Sequence, residues 1–82
     1  MIYEIEFNKA AIKFLETRNE KERDRIWSAI HKLPYGTDVL KMKGFDFRYR
    51  LRVGDFRVIY DKFDNVLKII VVDIGNRGDI YK

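Results

Sequence analysis

Arginine stands at positions 48, 50, 52 and 57, with Lys41 and Lys43 just upstream, so six basic residues crowd a segment that holds two acids, Asp46 and Asp55. The rest of the chain carries 11 basic and 11 acidic residues, so this one stretch supplies the whole formal charge of +4. A guanidinium keeps its charge at any physiological pH, and its planar fork forms two parallel hydrogen bonds to a phosphate. Arginine at every second position of an extended segment puts these forks on one face. That pattern points to a polyanionic partner, nucleic acid foremost. The competing account is a solvated strand face whose charges discourage edge-to-edge association.

Other residues with chemical potential are sparser. Arg77 and Tyr81 flank Gly78 near the C-terminus, and Gly75 and Gly78 would let that segment turn back beside the arginines. His31, the single histidine, falls at the end of a helical pattern, where an imidazole meets the helix dipole. Trp27, on the same pattern, reads as a packing residue. Asp61, Asp64 and Asp73 lack the convergent spacing of a metal site, and no cysteine is available as nucleophile, thiolate ligand or disulfide partner. Neither a phosphate loop nor a dinucleotide glycine fingerprint nor a nucleophile elbow is present. No metal and no cofactor is expected.

The elements that must position these residues follow from periodicity. Tyr3, Ile5 and Phe7 alternate with Glu4 and Glu6, the signature of a half-exposed strand. Asn8 suits the N-cap of a helix beginning at Lys9, with Phe7 and Ile12 spaced as a hydrophobic staple and Ala11, Phe14 and Leu15 as its buried stripe. Asn19 and Glu22 have capping-box spacing for a second helix carrying Ile26, Ile30 and Leu33, which Pro34 and Gly36 end. Three strands are predicted at about 47–53, 56–63 and 66–73, joined by two-residue turns at Gly54-Asp55 and Asp64-Asn65. The first turn sets Arg52 against Arg57 and Arg50 against Ile59; the second sets Asp61 against Lys68 and Arg57 against Val72. Phe47, Tyr49, Leu51, Phe56, Val58, Tyr60, Leu67, Ile69 and Val71 then share an apolar face. Arg48, Arg50, Arg52 and Arg57 share the other with Ile59, Ile70 and Val72.

The expected architecture is therefore α+β: an N-terminal strand, an αα-hairpin, then a three-stranded antiparallel meander, with the helices packed on one face of the sheet. The 82 residues read as a single domain, since so short a chain cannot divide its core. No stretch reaches the roughly 18 apolar residues of a membrane span, and the N-terminus lacks the pattern of a secretory signal, so a cytoplasmic location is expected.

In this order and at this length, the helical hairpin, the stretch Gly54-Asp55-Phe56-Arg57-Val58-Ile59-Tyr60 and the closing Ile74-Gly75-Asn76-Arg77-Gly78-Asp79-Ile80-Tyr81 resemble the RelE/ParE toxin superfamily over essentially the whole chain. The resemblance implies a type II toxin held inactive by a cognate antitoxin protein. RelE-like members act in the ribosomal A site, where a 2′-hydroxyl of mRNA attacks the adjacent phosphate. Carried over by position, Arg57 matches the strand arginine that holds the scissile phosphate, and Arg77 the tail arginine that assists it. Tyr81 matches the tyrosine proposed to take the 2′-hydroxyl proton or to stack on a base. Arg48 and Arg50 fall where RelE-like enzymes often carry lysines, and they join the catalytic set; Arg52, Lys41 and Lys43 are assigned to RNA binding. Cyclising attack builds negative charge on phosphorus, which preplaced guanidiniums stabilise more than they stabilise the ground state.

Two other functions stay open: a ParE-like inhibitor of DNA gyrase, and a non-catalytic module binding nucleic acid or antitoxin. The set Arg57, Arg77 and Tyr81 favours the nuclease, because ParE-like members typically lack part of it. In each case the partners are macromolecules, with no membrane and no small-molecule substrate expected. An antitoxin segment alternating acidic and apolar residues would suit the mixed face.

Overall fold

The computed structural model describes residues 2–36 and 38–76, which form five strands and two helices. Strand β1 (Glu4–Phe7) leads into α1 (Lys9–Glu16) and α2 (Glu20–His31); β2 (Val39–Lys41), β3 (Arg48–Val53), β4 (Phe56–Phe63) and β5 (Lys68–Asn76) follow. Both helices begin where an asparagine satisfies an otherwise orphaned backbone N–H. The Asn8 side chain accepts from the Ala11 amide at 3.1 Å, and the Asn19 side chain accepts from the Glu22 amide at 2.8 Å. Glu20 and Glu22 in the first turn of α2, and His31 in its last, complement the helix dipole.

The sheet has the order β1-β5-β4-β3-β2, with β1 parallel to β5 and every other pair antiparallel. This architecture is the expected α+β arrangement with one added strand. β2 pairs with β3, and at three residues it is too short to show any periodicity in the sequence. Ala11, Ile26, Ile30 and Leu33 from the helical side bury against Leu51, Val53, Phe56, Val58, Tyr60, Ile69, Val71 and Ile74 of the sheet. Each fully buried aliphatic or aromatic side chain contributes about 1.5–3 kcal/mol, so this layer is the principal stabilising feature. Tyr60, almost wholly buried and stacked on Tyr49 at 5.6 Å, has its phenol pushed up by desolvation. Trp27 is an edge residue: half exposed, it stacks on Phe7 at 5.3 Å and carries His31 against its other side at 4.5 Å.

The Gly54-Asp55 turn has the predicted register, Arg52 against Arg57 and Arg50 against Ile59. Gly54 adopts φ 58, a left-handed conformation that a residue without Cβ takes at little cost. The second hairpin departs from expectation. Phe63 faces Lys68, so four residues, Asp64 to Leu67, make the connection, and Leu67 itself sits at φ 50. Asp61 consequently faces Ile70 on β5, and Lys68 pairs instead with Glu6 at 3.0 Å. Residues 66 and 67, read as strand, belong to the turn.

A second correction lies further along β5. The register shifts between Ile59 and Tyr60, where Val71 faces Tyr60 but Asp73 faces Ile59, leaving Val72 as the extra residue of a β-bulge. Beyond it the alternation changes phase. Ile74 enters the core at 3% exposure, and Arg57 faces Gly75, not Val72. Phe47, expected on the apolar face, precedes β3 and is 52% exposed.

Candidate functional site

The helices cover one face of the sheet, and the arginines occupy the other. β3 supplies Arg48, Arg50 and Arg52 because strand side chains alternate between faces, and β4 supplies Arg57 directly opposite Arg52. Facing residues in an antiparallel pair lie only about 4.5–5.5 Å apart at Cα, and like charges so placed are destabilising. Four guanidiniums thus sit on two adjacent strands at a position that stability alone does not favour. Ile59, on the same face, is 6% exposed; the residues around it in the register are Arg50, Arg57, Asp61 and Asp73.

The four arginines are not equivalent. Arg48 is committed: its Nε and an Nη donate to both oxygens of Asp61 at 2.8 and 3.0 Å, and the guanidinium lies over the Phe45 ring at 4.8 Å. The hydrogen bond to Asp61 raises its pKa further. Arg50 and Arg52 share one partial counter-ion, the half-exposed Asp38, at 3.9 and 3.8 Å, beyond hydrogen-bond range. The Nε of each is buried and makes no hydrogen bond among the described residues. A buried donor left unsatisfied costs about 1–3 kcal/mol. An acceptor that reached these donors after a side-chain shift would offset that cost. Arg57 stands across from Arg52 on β4 and across from Gly75 on β5, a residue that presents no side chain.

The lysines assigned to the same surface lie elsewhere. Lys41 faces Tyr49 in the register, which places it with the helix-covered side at the sheet edge, and Lys43 sits in the exposed connection before β3. Arg77 and Tyr81 lie outside the described residues. Asp61 faces Arg48 and not Lys68, so the carboxylate read as a partner of β5 belongs to the arginine strand. Asp38, Leu40 and Phe45 were missed by sequence reasoning. Leu40 faces Arg50 and is 56% exposed, adding an apolar edge to the basic face. The strand that positions Asp38 and Leu40 is too short to announce itself, and Phe45 lies in a connection without periodicity.

Chemically, this face can neutralise and orient a phosphodiester backbone. His31 is on α2, in the helical layer on the far side of the sheet, where its Nδ1 lies 2.9 Å from the Trp27 carbonyl oxygen. Among the described residues, no group of three His, Cys, Asp or Glu side chains is placed to hold a metal ion, and no helix is long and apolar enough to cross a membrane.

No family model matches the sequence, and no curated protein does either. Solved structures do. The chain is similar to the archaeal RelE–RelB complex from Pyrococcus horikoshii OT3, at 28% identity over 96% of this chain and 99% of that chain, with a TM-score of 0.82. It is similar to the RelB–RelE antitoxin–toxin complex from Methanococcus jannaschii at 28% identity, over 93% of this chain and 94% of that one, with a TM-score of 0.75. The isolated E. coli RelE toxin shares the fold at 19% identity and a TM-score of 0.76, over 96% of this chain and 90% of that chain.

Proposed function

We propose that this chain, a member of the RelE/ParE toxin superfamily, is the toxin of a type II toxin–antitoxin pair and cuts mRNA held in the ribosomal A site. The observation that carries the reading is the arginine cluster on the sheet face opposite the helices, with Arg52 against Arg57 and Arg50 and Arg52 sharing only the distant Asp38 carboxylate. In this scheme Arg57 holds the scissile phosphate, and Arg50 and Arg52 bind the backbone beside it. The 2′-hydroxyl oxygen bonds to phosphorus as its proton passes to the Tyr81 phenolate, and the bond to the 5′-oxygen breaks as that oxygen takes a proton from water, leaving a 2′,3′-cyclic phosphate and a 5′-hydroxyl end. Arg77 would share the charge that develops on the phosphoryl oxygens. Arg48, bound to Asp61, serves as a fixed positive end of the track and not as a proton donor. Lys41 and Lys43 would reach RNA only from the sheet edge.

The same face suits an antitoxin. Leu40, 56% exposed, faces Arg50, and Ile70 faces Asp61 on the same side of the sheet, so a segment alternating acidic and apolar residues would neutralise charge and bury these side chains together. Antitoxin and RNA then compete for one surface in the cytoplasm. The similar structures from P. horikoshii and M. jannaschii are themselves complexes with RelB.

The test is to map mRNA 3′ ends on stalled ribosomes in a purified translation system. Wild type should create new ends within the A-site codon, Arg57→Ala should abolish them, and Tyr81→Phe should diminish them. Intact mRNA with wild-type protein would refute the nuclease reading, and inhibition of purified gyrase would then decide for the ParE-like alternative.

A further inference from the structure

We propose that the hollow at the 42–47 end of the arginine face is a stacking subsite for an unpaired base of the same mRNA, an inference that rests on the function proposed above. The hollow, about 330 Å³, is lined by Gly44, Phe45, Asp46, Phe47, Arg48 and Asp61. Two of its aromatic rings are held at the surface, Phe45 at 46% and Phe47 at 52% exposure, in a domain small enough to gain from burying every phenylalanine it has. They are not loosely placed. The Phe47 ring leans on Phe63 at 5.1 Å, and the Phe47 carbonyl oxygen accepts from the Lys62 amide at 2.9 Å. Phe45 carries the Arg48 guanidinium, which Asp61 locks in plane through two hydrogen bonds. Rigid aromatic faces beside a fixed guanidinium form the platform on which single-stranded nucleic acids stack their bases.

The charge distribution selects the base over the phosphate as occupant. Asp61 is neutralised by Arg48, which lines the hollow with it, so the Asp46 carboxylate leaves the hollow net negative and disfavours a phosphodiester. A base is neutral, and the edge of adenine or cytosine offers an amino group that a carboxylate accepts from. The arginines continue the path: at about 3.3 Å per residue, Arg48 stands about 13 Å along β3 from Arg52. One RNA strand can therefore place its phosphates on Arg50, Arg52 and Arg57 and turn a neighbouring base into the hollow.

The experiment uses stalled ribosomes programmed with mRNA carrying 5-iodouridine in the A-site codon or at either flanking nucleotide, with a 2′-deoxy residue at the attacking position to block cutting. The all-ribose mRNA is scored for cleavage in parallel. Irradiation should join the mRNA to the peptide containing Phe45 and Phe47. Phe45→Leu and Phe47→Leu, which keep apolar volume without a ring, should lose that link and weaken ribosome-bound RNA engagement about 10-fold, as expected for one lost base–aromatic stack. Phe47→Trp should retain both. Cleavage with links confined to other peptides, or to ribosomal RNA, overturns the stacking subsite and leaves the nuclease intact. Links at Phe45 or Phe47 without cleavage support the subsite and remove the nuclease. Absence of both overturns the two together.

Discussion

Replacing Asp38 by asparagine should make the protein a better RNA binder and a less stable fold. The Asp38 carboxylate lies 3.9 Å from the Arg50 guanidinium and 3.8 Å from that of Arg52, with its own side chain 49% exposed. Such long pairs to a half-exposed carboxylate contribute little, together about 0.5 kcal/mol, and their loss removes the counter-charge that Asp38 gives Arg52. For a domain of this size the expected fall in Tm is about 2–4 °C. A phosphate seated on Arg50 and Arg52 would lie about 6 Å from the same carboxylate, where like charges in a water-like dielectric repel by roughly 0.7 kcal/mol. Removing that repulsion should raise affinity about 3-fold. Asparagine preserves shape, and the backbone bond from the Arg52 amide to the Asp38 carbonyl oxygen at 3.0 Å does not involve the side chain. The assay is single-turnover cleavage on stalled ribosomes at limiting toxin, beside thermal unfolding of the free protein. Lower Tm with unchanged or slower cleavage would mean that Asp38 positions the arginines instead of screening them, and the argument from repulsion would fail.

Arg52→Ala should relieve the like-charge pair, stabilising the fold by a few tenths of a kcal/mol, while reducing the salt dependence of RNA binding by about 0.7 in the log–log slope; unfolding curves and a salt titration check both. Asn19→Ala removes the acceptor of the Glu22 amide and should cost about 1 kcal/mol, seen as a fall in Tm of about 4–8 °C. Gly54→Ala forces a Cβ into a left-handed turn at φ 58, 2.8 Å from an Arg25 guanidinium nitrogen, and should destabilise by about 1–2 kcal/mol in urea unfolding, chiefly through the backbone. The Tyr3 phenol donates to Asp64 at 2.7 Å, and that bond pushes its pKa up to about 12. Since the raised value belongs to the protonated donor, the stabilisation is complete below pH 10 and disappears as pH climbs toward 12; Tyr3→Phe should flatten this alkaline loss in a pH series of unfolding curves.

Much of the fold was legible because local rules and pattern agree. Asn8 and Asn19 stand where caps are needed, and Gly54 fixes a turn whose register the neighbouring strands then obey. The arginine face followed directly, since alternation on β3 and one correct turn suffice to set Arg52 against Arg57. The β4–β5 connection was misread because Asp64-Asn65 has the composition of a two-residue turn, while the chain prefers a wider one that puts Leu67 at positive φ. The wider turn took Lys68 away from Asp61, whereas the Arg48–Asp61 pair follows from the Gly54-Asp55 register itself. Spacing could not reveal that Arg50 and Arg52 share Asp38, which depends on a three-residue edge strand, or that Phe47 would be held at the surface.

The bulge in β5 also has an evolutionary consequence. Ile69 and Val71 precede it and Ile74 follows it, yet all three enter the core although an uninterrupted strand would point Ile74 away. Val72 is the residue that absorbs this mismatch. A lineage that lost Val72 would inherit a regular strand in which Ile69, Val71 and Ile74 alternate inward without any other substitution. Loss of Ile70 would instead turn Ile69 away from the core. Loss of one residue at Val72 or Asp73 therefore keeps the core positions of this strand, whereas loss at Ile70 does not.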